Sequence, residues 1–353
     1  MLHADDPVMT DHPGNAPHGA GRQGLSRCLR LAIPWFTRAT VLNVRDLRLA
    51  AAEWLVARGR SIPAPRTGWR PWLLDDAGQG DGILERFPAG PCVRAARTNE
   101  MPAGTWACAT PVHLLAAIEH LRIAPPGAVE LDAEEVEAIG ATLKEHFSAA
   151  DHVFVGDARG GWLWSSARDV QCTSIEPSAA ADCNLREVMP AGRDGPEVCR
   201  LMNEVQMLLH EHPVNERRVA RGQVTVNSLW LWGFGRVGEP TTVLPRMFSD
   251  DEWLQGLARL HGAPCGSPPE LAQALEAGSG AVAVGWARPA GSRTTVAALE
   301  EVESAFFRPA RDAVASGRVD QVDLLLGGHA LRVVRGDRWR FWRRRRALAE
   351  MLP

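Results

Sequence analysis

The sequence contains no tyrosine, and its basic residues are almost all arginine. Aromatic packing must therefore rest on 13 tryptophans and 9 phenylalanines, and cationic contacts on guanidinium groups. No apolar run reaches the length that a bilayer span requires. The opening residues lack the basic start and continuous apolar core of a secretory signal. Their mixture of Pro, Gly, His and Asp predicts a disordered lead-in over residues 1–26. The seven cysteines, Cys28, Cys92, Cys108, Cys172, Cys183, Cys199 and Cys265, are odd in number, widely spread and never arranged as C-x-x-C. That spacing argues against a disulfide framework or a zinc site and predicts reduced, mostly buried thiols in a cytoplasmic protein. Also missing are a G-x-S-x-G nucleophile elbow, a G-x-x-x-x-G-K-[ST] phosphate loop and a dinucleotide-binding glycine fingerprint after a strand. A net charge of -3 gives no global reason to expect nucleic acid or an anionic membrane as partner.

What is present is an ordinary globular composition, 45% hydrophobic and 23% charged over 353 residues, enough for a substantial core. Residues 44–58 carry apolar side chains at helical spacing and stop at Gly59. The Pro- and Gly-rich stretch 60–105 reads as loop or short irregular pieces. Asp132 stands where it can cap an amphipathic helix running to Phe147, with Val136, Ile139 and Leu143 on its inner face. Two apolar runs, 152–155 and 162–165, flank a glycine pair and predict a hairpin. A helix over 197–210 follows, with Val198, Met202, Val205, Leu208 and Leu209 facing a core. Then come a helix start at 249–252, a buried strand at 281–287, a long helix at 296–315 and a buried strand at 322–326. The ending from His329 to Trp342 reads as two strands across Arg335-Gly336-Asp337. Strands separated by helices predict an α/β sheet with an antiparallel pair at its end. One unit over 27–353 is expected, with a middle module over about 106–240 and a C-terminal α/β part over about 241–346.

The most informative stretch is 203–235, NEVQMLLHEHPVNERRVARGQVTVNSLWLWGFG, in which His212, Asn215, Arg217 and Arg218 form a polar cluster between an apolar helix and a Trp-rich strand. Pro213 cannot continue the preceding helix, so the chain breaks at His212. Asn215, Arg217, Arg218 and Arg221 follow, and guanidinium groups suit bidentate pairing with phosphate or carboxylate. Alternatively, Asn215 caps a short NERRVARG helix and the arginines sit in water. This segment resembles the signature of archaeal-type cofactor-independent phosphoglycerate mutases, of the alkaline-phosphatase superfamily. The matching residues are His212, Pro213, Val214, Asn215, Arg218, Gly222, Asn227, Gly233 and Gly235. More loosely, Glu130 to Phe147, the Trp162 strand and Ile175-Glu176-Pro177 followed by Pro190 resemble the region that precedes the signature. The Leu-Trp-Leu-Trp strand and the arginine-rich ending look closer to a proteobacterial phosphoglycerate-mutase-like, RpfE-type regulatory branch.

The resemblance implies an alkaline-phosphatase-like sheet with flanking helices, reduced relative to the family. It also implies a substrate-binding role for His212, Asn215, Arg218 and Asn227. Those mutases work through a serine nucleophile on two divalent metals, a clamp of carboxylates and histidines that this sequence does not reproduce. Asp320, Asp323 and His329 are the remaining candidates for ligands, at a spacing that surface carboxylates and a hairpin histidine would show equally well. No metal and no cofactor is expected. The expected function is regulatory, or binding of a phosphorylated or carboxylated metabolite; the alternative is an active metal-dependent mutase or phosphatase. Between Arg332 and Arg346 eight arginines are interleaved with Trp339, Phe341 and Trp342. Such a segment could stack bases. An edge strand with the aromatics facing the core and the arginines in water explains it better, and nucleic acid is not the expected partner.

Overall fold

The computed structural model describes residues 27–352 apart from 43, 45–46, 65–67, 75–81, 99, 117–120, 126, 149–150, 158–160, 181–182, 241–243, 268–269, 278–281, 287–294 and 341–347. The expected lead-in at 1–26, the tip of the 152–165 hairpin, and Phe341 and Trp342 with the arginine run at 343–346 thus lie outside the described residues.

The architecture is mixed α/β, a large central sheet with flanking helices. Its seven strands run in the order Cys265–Gly266, Arg246–Ser249, Val282–Gly285, Cys28–Ile33, Gln321–Leu326, His329–Val334 and Arg60–Ser61. The first five are parallel to one another, and the two remaining pairings are antiparallel. Cys28–Ile33 and Val282–Gly285 are apolar almost throughout because helices cover both faces of the parallel part. Gly327 and Gly328, both at positive φ, turn the chain tightly from Leu326 into His329–Val334.

The terminal antiparallel pair is therefore Gln321–Leu326 with His329–Val334, and not two strands across Arg335-Gly336-Asp337. There the chain winds into a 3₁₀ turn, Arg335–Trp339, because the buried Asp337 carboxylate accepts from the Val334 amide at 3.1 Å and pairs with Arg60 and Arg340. Trp339 is 63% exposed instead of facing the core, and the Arg338 guanidinium stacks on its ring.

Residues 105–235 supply a second sheet, inserted between strands of the first. It is antiparallel, in the order Val153–Asp157, Gly161–Ser166, Thr105–Val112 and Ser228–Gly235. Strand alternation divides its side chains between two cores. Ala107, Ala109, Trp162 and Trp164 pack with the Ala133–His146 and Gly195–His210 helices, while Trp106, Cys108 and Leu163 join the core shared with the large sheet. The Ala133–His146 helix starts with the expected cap, Asp132 accepting from the Glu135 amide and Glu135 reaching back to the Asp132 amide.

The 60–105 stretch is more regular than its glycines and prolines suggest. It holds helices Trp69–Leu74, Ile83–Arg86 and Ala89–Thr98. Pro91 falls in the first turn of the last, where a missing N–H costs little, and small alanines make its inner face faint in the sequence. This helix packs on Thr105–Val112 and Ser228–Gly235 on one side and on the Glu252–Leu260 helix on the other. Close approach requires glycine at several points, among them Gly90, where a Cβ would lie 2.5 Å from the backbone of Ala107. A Cβ on Gly256 would lie 1.8 Å from the Cys92 carbonyl oxygen, and one on Gly233, whose φ is +66°, would lie 2.5 Å from the Ala89 side chain. The Gly233-Phe234-Gly235 pattern thus serves helix packing.

The long helix expected at 296–315 runs from Thr295 to Ser316 with a π segment, Glu303–Phe307, in its middle. Pro309 lies just beyond, has no amide hydrogen for the usual helical bond, and the widened turn accommodates that loss. Glu303 is buried there, and its carboxylate receives the Ala51 and Ala52 amides at 2.6 and 3.1 Å. A long-range carboxylate thereby caps the Ala50–Arg58 helix, which is shorter than the 44–58 span expected for it.

Candidate functional site

The signature residues occupy one region but turn their polar atoms toward the protein. His212, not Asn215, is the N-cap of the Pro213–Ala220 helix. Its Nδ1 accepts from the Val214 amide at 3.2 Å, which leaves Nε2 to carry the proton toward Thr142 Oγ1 at 3.0 Å. Burial, followed by the charge of Arg217, holds this imidazole below its ordinary pKa. Asn215 is buried and bridges two backbones: Nδ2 donates to Leu209 O and Val226 O, both at 2.7 Å, and Oδ1 accepts from Val226 N at 2.9 Å.

Arg218 is 2% exposed. Its Nε donates to Val224 O at 2.7 Å, and one terminal nitrogen donates to Glu130 O at 2.9 Å and to the buried Glu135 carboxylate at 2.6 Å. Asn227 holds the backbone of Leu114 at both ends, accepting from its N–H at 2.7 Å and donating to its carbonyl at 3.0 Å. Arg217 and Arg221, by contrast, are exposed.

The Asn227 and Arg218 bonds brace the wall of a cleft whose lining includes none of His212, Asn215, Arg218 and Asn227. A cavity of about 350 Å³ is lined in part by His113, Val129, Thr110, Trp232, Ser178 and Glu176. His113 precedes the residue whose backbone Asn227 holds, and its Nδ1 lies 2.9 Å from Thr225 O. Val129 precedes the residue whose carbonyl Arg218 holds. A second lobe of about 260 Å³ continues past Arg97, Thr110, Gly161, Trp232 and Glu252, which line both, to Arg70, Asp251 and Cys108.

Two largely buried guanidiniums meet carboxylates here. Arg70 reaches Asp251 through Nε at 3.2 Å and Nη2 at 2.8 Å, and Glu176 through Nη1 at 2.5 Å. Arg97 forms a two-point pair with Glu252, at 3.0 and 2.8 Å. Burial works against the charge on Arg70, but Asp251 and Glu176 outweigh it and keep the group protonated. Burial pushes the Cys108 thiol up to about 12, against the pull of Arg97 and Arg70, so it is no nucleophile at neutral pH.

None of Arg70, Arg97, Glu176, Asp251 or Glu252 was singled out by spacing, because they come from separate segments. Only Ile175-Glu176-Pro177 and the helix start at 249–252 carried a local signal. Asp251 fills that second role too, capping Leu254 at 3.1 Å.

Asp320, Asp323 and His329 do not converge on a metal site. Asp320 pairs with Arg27 at the surface, while Asp323 is buried mid-strand against Arg332 at 2.8 and 2.9 Å. Among the described residues no group of three or more His, Cys, Asp or Glu is placed to hold a metal ion. A two-metal clamp therefore does not fit the donors that those residues present. Nor is any helix among the described residues long and apolar enough to cross a membrane.

No protein-family model matches the chain. Over 80 residues it is 35% identical to the probable 2,3-bisphosphoglycerate-independent phosphoglycerate mutase of Geobacter sulfurreducens, covering 23% of this chain and 18% of that protein. Over 125 residues it is 28% identical to the 2,3-bisphosphoglycerate-independent phosphoglycerate mutase of Methanosarcina barkeri, covering 34% of this chain and 31% of that protein. Among solved structures, the cofactor-independent phosphoglycerate mutase of Thermoplasma acidophilum aligns over 88% of this chain and 89% of its own, at 15% identity and a TM-score of 0.38. The two sequence matches span less than a third of each relative's length. Over those segments this chain is similar to 2,3-bisphosphoglycerate-independent phosphoglycerate mutases.

Proposed function

We propose that the protein is a mutase-related binding protein of regulatory role, related to the RpfE-type branch, that takes a small carboxylated or phosphorylated metabolite between its two sheets. The observation that carries this reading is the cleft, where Arg70 and Arg97 face a volume of the size that small ligands occupy, beside His113, Thr110 and Ser178. In this reading His212, Asn215, Arg218 and Asn227 serve the ligand by fixing the wall it rests on. The cleft's carboxylates, Glu176, Asp251 and Glu252, are each engaged by an arginine instead of being grouped as metal donors, which favours binding over phosphoryl transfer.

Calorimetric titration with glycerate and 3-phosphoglycerate tests the proposal. Binding of at least one is expected, weakened about tenfold or more in Arg97→Gln by loss of a charged hydrogen-bond donor. Phosphoglycerate turnover in the presence of Mn²⁺ would instead establish the enzymatic alternative. Failure of both titrations would remove the cleft as the site for this class of ligand.

A further inference from the structure

The pair between Arg70 and Glu176 joins positions 106 apart in the chain and stands at the boundary of the two lobes. Its partners are unequal. Asp251 is 7% exposed, holds Arg70 through two nitrogens and also caps a helix. Glu176 is 33% exposed, uses a single guanidinium nitrogen, and lies in the short connection leading into the Pro177–Ala180 helix. One carboxylate is part of the frame and the other can leave it. Departure of Glu176 would free one N–H donor of a buried, already oriented arginine and open the passage between the lobes.

We propose that Glu176 occupies the position of the ligand's own carboxylate, and that a bound monocarboxylate displaces it from Arg70 and releases the segment around 175–180 from the rim of the cleft. This rests on the cleft being the binding site. The exchange leaves the charge around Arg70 unchanged, since one carboxylate departs as another arrives. A phosphate dianion would add a further negative charge beside Asp251 and Glu252 in a poorly solvated place. The site is thereby selective for a carboxylate over a phosphoryl group at this position.

A built-in reporter accompanies the movement. The indole N–H of the buried Trp230 donates to Ile175 O at 2.8 Å, the carbonyl immediately before Glu176. Displacing the segment breaks or lengthens that bond and changes the surroundings of the ring.

The test measures affinity for glycerate and inorganic phosphate in the wild type and in Glu176→Gln, a substitution that keeps a hydrogen-bonding side chain and removes the competing charge. Glycerate is expected to bind about tenfold more tightly to Glu176→Gln and to be preferred over phosphate in both proteins. Glycerate should also change the tryptophan emission of the wild type, and Trp230→Phe should remove most of that change. Equal glycerate affinity in the two proteins would overturn the exchange while leaving the cleft as a binding site. Preference for phosphate would overturn the carboxylate assignment. Absence of glycerate binding in both proteins would overturn the exchange, while the cleft reading would then stand or fall with the 3-phosphoglycerate titration.

Discussion

Arg218 and Glu135 are paired at 2.6 Å in the interior, 83 residues apart in the chain, with their side chains 3% and 6% exposed. The pair ties the Pro213–Ala220 helix to the first turn of Ala133–His146. Removing one member leaves the other charge buried without its counterion.

Arg218→Ala is therefore expected to lower unfolding free energy by roughly 3–5 kcal/mol, measured by urea denaturation. Replacing both residues by apolar groups of similar volume, as in Arg218→Met with Glu135→Leu, should recover the part of that loss due to the unpaired charge, but not the bonds to Val224 O, Glu130 O and the Asp132 amide. A single-variant cost below about 1 kcal/mol would mean that the pair is solvated.

His212 makes stability depend on pH. Its folded-state pKa lies below the ordinary value of 6.5, through burial first and the Arg217 charge second. The unfolded chain therefore takes up the proton first as pH falls, so the contribution is complete above about pH 6.5 and is lost as pH drops through the folded-state value. Protonation at Nδ1 also removes the acceptor that caps Val214. His212→Asn keeps a capping side chain and should flatten the decline in melting temperature between about pH 7 and pH 5. His152 and His261, shifted the same way by burial, leave a residual slope.

The buried Glu303 carboxylate should contribute as an N-cap does. Glu303→Ala is expected to cost about 1–2 kcal/mol, the range for losing a good cap. Faster hydrogen exchange at Ala51 and Ala52 should accompany the loss, because both amides lose their acceptor.

The elements with strong periodicity or capping chemistry were legible in the sequence. Asp132 with Glu135, the apolar face of 197–210 and the buried strand at 322–326 stand where the residues place them. The Ala89–Thr98 helix was hidden because alanines, a glycine and a proline do not display an apolar stripe. The ending was misread because Asp337 satisfies the backbone of a turn from a buried position, which spacing does not reveal. The signature from His212 to Gly235 stood out, but its local pattern did not show which polar groups turn inward. The cleft was least legible, since Arg70, Arg97, Glu176 and Asp251 meet only after the chain has folded.

Gly256→Ala is expected to destabilise strongly, toward the upper end of the roughly 1–3 kcal/mol typical of overpacking, because the obstructing atom is the Cys92 carbonyl oxygen and not a flexible side chain. Thermal denaturation checks this, with Leu260→Ala, at a partly buried position on the same helix, as the comparison. The added methyl at Gly256 should lower the melting temperature more than the larger deletion at Leu260 does.

The crossing at Gly256 has a mechanical corollary. At that point the backbone of one helix rests on the backbone of the other with no room for a methyl group, so the two helices resist sliding or tilting about the joint. Among the described residues at the rim of the cleft, the chain around Glu176 is tied to Arg70 by a single guanidinium nitrogen, so adjustment there is cheaper than at the helix crossing.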